Sequence, residues 1–147
     1  MDTIFKLRNF LFSFIHMVNR SLEEELGIAL PQFMILVAVS NNPLGTQAVL
    51  AEFRKITPAG VSKQMSVLLK KKLIIRKNNK NDKRERAITL TEKGKKTFKR
   101  SMDIFKRHQN EVFKGVPKGS IRQMNDTLDK LLVSTSSDFM HICKKKK

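Results

Sequence analysis

The stretch from Thr57 to Arg76, TPAGVSKQMSVLLKKKLIIR, constrains the chain more than any other. It predicts a helix from Pro58 to about Lys72. The Thr57 hydroxyl can accept from a free N–H of the first turn, and Pro58 falls at the first helical position, where its missing N–H costs nothing. Val61, Met65, Leu68 and Leu69 recur at helical spacing as one narrow apolar stripe, which fixes the face that packs on a core. The opposite face carries Ala59, Gly60, Lys63, Val67 and Lys70, flanked by Ser62 and Ser66. It holds small side chains, hydroxyls and cations, and no carboxylate. Small residues permit close approach to a DNA groove, Ser and Lys can donate to base edges or phosphates, and Val can touch a thymine methyl.

The next segment predicts a two-stranded hairpin. Leu73–Ile75 is an apolar run with two β-branched isoleucines, Arg76 to Arg84 is a cationic, Asn-rich turn, and Arg86–Leu90 resumes an alternating strand pattern. A helix followed by a basic hairpin is the layout of a winged helix. The charge agrees: 30 Lys and Arg stand against 13 Asp and Glu, a formal net charge of +17. Between Ala51 and Arg100 there are 17 basic and 4 acidic residues, a net of +13, so most of the excess sits on this half. A polyanion is the expected partner. Charge alone equally permits a nonspecific nucleic-acid-binding or chromosome-organising protein. Against RNA, the chain has no Tyr or Trp, and its Phe residues lie mostly on apolar helical faces rather than on a stacking platform.

From Leu30 to Phe98 the sequence resembles the multiple-antibiotic-resistance regulator (MarR) family of bacterial transcription factors. The pieces LPQFMILVAV, TQAVLAEF, VSKQMSVLLKKKLIIR and DKRERAITLTEKG agree in order. The last is the most specific, with the family's wing Asp-x-Arg at Asp82 and Arg84 and its Leu-Thr at Leu90 and Thr91. Lys72 stands where the family usually has Gly. The resemblance implies a mainly α fold with a small β-hairpin wing, a winged helix-turn-helix core plus N- and C-terminal dimerisation helices. It implies a dimeric, sequence-specific regulator of cytoplasmic location, a repressor in its simplest form, that binds pseudo-palindromic double-stranded DNA. Its DNA-binding residues would be Thr46 on the first helix of the helix-turn-helix, Thr57, Ala59, Gly60, Ser62, Lys63, Ser66, Val67 and Lys70 on the second, and Arg76, Asp82, Lys83 and Arg84 in the wing. Members often respond to a small aromatic or phenolic effector in a crevice beside the dimerisation helices. Here Phe10, Phe14, His16 and Met17 could line one, although such residues at helical spacing serve a core more often than a pocket.

The remaining segments fit around this unit. A long helical pattern from Thr3 to Leu26 carries Ile4, Leu7, Leu11, Phe14 and Val18, with further Phe, Ile and Met widening the apolar surface beyond what one small domain covers. Burial against a second subunit is expected. Gly27 ends that helix, the next begins near Pro31 and stops at Asn41-Asn42-Pro43, and Thr46 caps a short helix to Lys55. After the wing, Thr91 caps a helix whose buried positions are expected at Phe98, Met102, Phe105 and Val112 or Phe113, with Lys95, Lys96, Lys99 and Arg100 on its surface. Gly115–Gly119 breaks it, and Ser120 with Gln123 forms a capping box for a last helix. Ile121, Met124, Leu128, Leu131 and Leu132 repeat the dimerisation pattern there. Residues 1–29 and 115–147 are thus the expected dimerisation region, and 30–114 the DNA-binding region with its connecting helix.

Other classes find little support. The single Cys143 excludes an intramolecular disulfide, and the grouping Asp138-x-x-His141-x-Cys143 lacks a fourth partner, so no metal, cofactor or catalytic constellation is expected. Asn9, Ser13 and His16 interrupt the first apolar run, against a signal peptide or a membrane span.

Overall fold

The computed structural model describes residues 2–42, 45–78 and 86–144. The elements run α1 (Thr3–Leu26), α2 (Leu30–Asn41), α3 (Gln47–Arg54), α4 (Pro58–Lys70), β1 (Ile74–Asn78), β2 (Arg86–Leu90), α5 (Glu92–Val112) and α6 (Lys118–Lys144). They fall into two compact units, Met1–Gln109 and Asn110–Lys147.

In the first unit α2 is the central helix. It is apolar on nearly every side and buries Phe33, Ile35, Leu36, Ala38 and Val39, so it must be surrounded. Helices α3 and α4 and strand β2 pack on it, as does α1. Into the same core go Leu50 of α3, Val61, Met65 and Leu68 of α4, Leu73, Ile74, Ile88, and Ile104 of α5. Gly27 stands at φ +64 after α1 and donates its N–H to Glu23 O, a left-handed close that glycine adopts without strain. Leu30 N–H then donates to Asn19 Oδ1 at 2.7 Å and Ala29 N–H to Gln32 Oε1 at 2.9 Å, starting α2 where Ala29 itself has no capping side chain.

The two strands pair antiparallel with Ile74 opposite Leu90 and Asn78 opposite Arg86. Strand β1 runs further than the sequence pattern predicts: Arg76 and Lys77, expected in the turn, are ladder residues. The partner strand decides this, because Ile88 and Ala87 opposite them supply the burial the polar residues lack. Ile88 N–H also donates to Gly45 O at 3.0 Å, which ties Gly45, just before α3, to β2.

Two long-range polar contacts join α1 to α5. Ser21 Oγ and His108 Nε2 lie 2.8 Å apart, and Glu25 pairs with Arg107. The hydrogen bond from the Arg107 guanidinium holds the Glu25 carboxyl below the usual carboxylate range. Aromatic rings continue the seam, Phe14 edge-on to Phe105 at 5.4 Å and Phe105 beside Phe33 at 6.5 Å.

Val18, expected on a subunit face, instead lies within this chain's own core at 1% exposure, beside Leu22 at 0%. Val18 stands one heptad after Leu11, and Leu22 one heptad after Ile15, so all four share a stripe. Its C-terminal half meets the first unit's core, and its N-terminal half does not.

In the second unit α6 begins at Lys118, directly after Pro117, and Ile121 N–H donates to Pro117 O. Ser120 therefore lies inside the helix, and the expected Ser120–Gln123 capping box is not the start. The proline, with φ already fixed near the helical value, begins the turn instead. The side chains of Asp138, His141 and Cys143 lie outside the described residues. No described helix is long and apolar enough to cross a membrane.

Candidate nucleic-acid interface

Helices α3 and α4 are set by matching devices at both ends. Thr46 Oγ1 accepts from Val49 N–H at 3.5 Å, and Thr57 Oγ1 from Gly60 N–H at 3.1 Å. Each helix closes with paired reverse bonds: Lys55 N–H to Glu52 O and Ile56 N–H to Ala51 O for α3, Lys72 N–H to Leu69 O and Leu73 N–H to Leu68 O for α4. This closure calls for a left-handed residue, usually glycine. Here lysines fill the position, Lys55 at φ +51 and Lys72 at φ +57. The position at which the family resemblance notes a missing glycine is left-handed all the same. It also ends α4 at Lys70, two residues before the predicted Lys72.

The faces of α4 separate as the sequence predicts. Val61, Met65 and Leu68 are fully buried, and Leu69 packs against the core from a half-buried position. Ala59, Ser62, Lys63, Ser66 and Lys70 are exposed, with Thr57 before them; Gly60 and Val67 are half-buried at the edge. Ser66 Oγ donates to Ser62 O at 3.0 Å, which leaves its lone pairs to accept from a ligand. The exposed face contains no carboxylate. Thr46 is half-buried, and its Oγ1 serves as the cap of α3. Arg76 is exposed on β1; Asp82, Lys83 and Arg84 lie outside the described residues.

Arg54, near the end of α3, has no sequence signal that sets it apart from the other basic residues. Burial lowers its pKa from the ordinary value, and its Nε is buried without a hydrogen-bond partner among the described residues. A guanidinium stays charged regardless, so it adds a cation under the helix-turn-helix. On α5, Lys95, Lys96, Lys99 and Arg100 are all exposed; Lys95 pairs with Glu92 at 2.7 Å and lowers the pKa of that carboxyl.

At the base of the hairpin lies a cavity of about 440 Å³ lined by Val39, Ser40, Lys77, Thr89, Leu90, Lys95 and Phe98. Thr89 Oγ1 is buried there with no partner among the described residues. Of the residues expected to line an effector crevice, Phe10 and Phe14 stack at 6.3 Å, but Phe14 is already packed on Phe105. His16 and Met17 are exposed, and His16 projects about 120° round the helix from Phe10. The structure does not gather those four.

The proposed dimer residues divide likewise. Ile4 is 64% and Leu11 44% exposed, Leu7 and Phe14 are half-buried, and an open groove on α1 is lined by Ile4, Leu7, Arg8, Leu11, Phe12 and Ile15. On α6 Leu131, Leu132 and Met124 are exposed, with Ile121 and Leu128 half-buried.

Two capped helices across a three-residue turn, followed by an antiparallel hairpin, define a winged helix-turn-helix protein. The MarR family model matches residues 26–85. The HTH-type transcriptional regulator BilQ of Clostridium symbiosum is 27% identical over 120 residues, 82% of this chain and 81% of the relative. A SlyA-like transcription regulator from Listeria monocytogenes superposes with a TM-score of 0.86 at 26% identity, covering 100% of this chain and 97% of the other. A MarR family regulator from the same organism, solved with a 26mer DNA, superposes at 0.83 with 26% identity and the same coverage. Over its winged helix-turn-helix segment the chain is thus similar to the MarR family of transcriptional regulators.

Proposed function

We propose that the chain is a homodimeric regulator that recognises a pseudo-palindromic DNA site through α4 and the hairpin tip. The observation that carries this is the division of α4: one face is locked into the core by Val61, Met65 and Leu68, so the other presents Ala59, Ser62, Lys63 and Ser66 in a fixed rotation. A reader of base edges needs that fixed rotation, whereas a nonspecific cationic surface does not. Ser62 and Lys63 are the base-edge candidates, Lys70 and Arg76 the phosphate contacts, and Arg84 with Asp82 the minor-groove element of the wing. The Listeria relative solved with a 26mer DNA supports a duplex as partner.

A second copy is the partner that suits the apolar faces of α1 and α6. In such a dimer the two α4 helices would enter successive major grooves roughly 34–36 Å apart. Selection of bound fragments from a random duplex pool tests the whole reading. An inverted repeat is expected. Recovery of unrelated sequences, with equal competition by random DNA, would favour the nonspecific alternative. Lys63→Ala should then reduce operator-over-random discrimination more than total affinity.

Effector control belongs to the same reading. The cavity at the hairpin base offers Lys77 and Lys95 to an anion, Val39, Leu90 and Phe98 to an apolar body, and the Thr89 hydroxyl as a further donor. A small aromatic acid suits it better than the α1 surface. Titration with benzoate-type acids should raise the melting temperature, and Lys77→Ala should abolish the rise.

A further inference from the structure

Away from the face offered to DNA, one side chain ties three elements together. Thr91 lies between β2 and α5. Its hydroxyl donates to Lys72 O at 2.7 Å, with Leu73 O a longer second acceptor at 3.3 Å, and accepts from Gly94 N–H at 2.9 Å. Its own N–H donates to Leu73 O at 3.1 Å. Beside it the Lys93 ammonium donates to Lys71 O at 3.1 Å. The carbonyls of Lys71, Lys72 and Leu73, which form the turn from α4 into β1, are therefore all held by the first residues leading into α5.

The approach is as close as the backbone permits. A Cβ on Gly94 would stand 1.9 Å from Leu73 O, so only glycine lets α5 reach the turn. Within that turn Lys72 sits at φ +57, a conformation that an L-residue with a Cβ disfavours and that lysine does not choose by itself. The reverse bonds at the end of α4 and the Thr91 latch hold it there. Were Lys72 to relax to negative φ, β1 would leave the end of α4 in a different direction, and the two paired strands would turn relative to the exposed face of α4. The Lys72 φ therefore sets the angle between the two parts of the interface.

We propose that Thr91 is a positioning residue for DNA recognition: its hydroxyl holds Lys72 left-handed and so fixes the angle between α4 and the wing. The inference rests on the reading of α4 and the hairpin as the DNA-binding elements. Thr91 is uncharged and its hydroxyl is engaged with Lys72 O and Gly94 N–H, so its effect should fall on discrimination rather than on charge-driven affinity. Glycine adopts the left-handed region without help, which supplies a rescue that a residue of purely stabilising role would not show.

The test measures the ratio of affinities for selected and random duplexes, well below each variant's melting transition. Thr91→Val should lower that ratio about fivefold, the factor expected from losing one such hydrogen bond, while random-duplex affinity and its salt dependence stay at wild-type values. Thr91→Ser, which keeps the hydroxyl, should retain the ratio. Adding Lys72→Gly to Thr91→Val should restore it. Should Thr91→Val alone not fold, the double variant is compared with Lys72→Gly alone, and equal ratios support the latch while a lower ratio in the double variant overturns it. A Thr91→Val ratio equal to wild type, or no recovery in the double variant, also overturns it. A wild-type chain that prefers no sequence overturns the reading of α4 and this inference with it, whereas discrimination shared equally by wild type and Thr91→Val overturns this inference alone.

Discussion

Lys55 and Lys72 occupy the left-handed positions that close α3 and α4, and neither is marked as such by its residue type. A left-handed non-glycine residue costs about 1–2 kcal/mol, partly offset because glycine is more flexible in the unfolded chain by about 0.5–1 kcal/mol. Lys55→Gly and Lys72→Gly should therefore each stabilise the fold by about 0.5–1 kcal/mol, read as a higher denaturant midpoint at unchanged slope. Gly94 runs the other way. Its hydrogen faces Leu73 O where a Cβ would sit at 1.9 Å, and backbone on both sides leaves no flexible group to yield. Gly94→Ala should destabilise by about 2 kcal/mol or more; a melt within a degree of wild type would show that α5 can shift away freely. The sequence marks Gly94 only as part of a family motif, and the reason for it lies 21 residues away in the turn after α4.

Among the elements, α4 and its start are the most legible, because Thr57-Pro58 and a narrow stripe specify both boundary and rotation. The α1 pattern is legible as a helix, but not the point at which its stripe changes partner. Periodicity is the same at Leu11 and at Val18, yet only Val18 meets the core of its own chain, and that depends on where α2 and α5 end in space. The consequence is testable. Leu11→Glu should break the proposed dimer, seen as a lower sedimentation coefficient, while leaving secondary structure intact; Val18→Glu should instead unfold the first unit, since it places a charge in the core without a partner. Unaltered sedimentation of the Leu11 variant would remove α1 from the subunit contact. The contact of α1 with α5 has its own signature. Arg107 lowers the folded pKa of Glu25 below its unfolded value, so its contribution is complete above the ordinary glutamate pKa and disappears as pH falls through the depressed folded one. Glu25→Gln should lower the melting temperature near neutral pH and converge with wild type in acid. Both groups are partly exposed, so the difference is small and shrinks further with added salt.

At the scale of the molecule, a net charge of +17 on 147 residues makes attraction to any polyanion strong, and it obscures specificity unless the ionic strength is controlled. The two contributions separate by their response to salt. Each phosphate neutralised releases counterions and adds about −0.9 to the slope of log K against log salt. If the proposed dimer engages Lys70, Arg76 and wing cations on both half-sites, about 6–10 phosphates are neutralised, and the slope on operator should lie between about −5 and −9. Lys70→Ala removes one contact per subunit and should flatten it by about 2, on operator and random duplex alike. Lys63→Ala should leave the slope nearly unchanged on operator and lower the intercept, because a hydrogen bond to a base edge releases no condensed counterion. A slope that flattens equally for both variants would make Lys63 another phosphate contact, and sequence reading would then have to come from Ser62, Val67 and the wing.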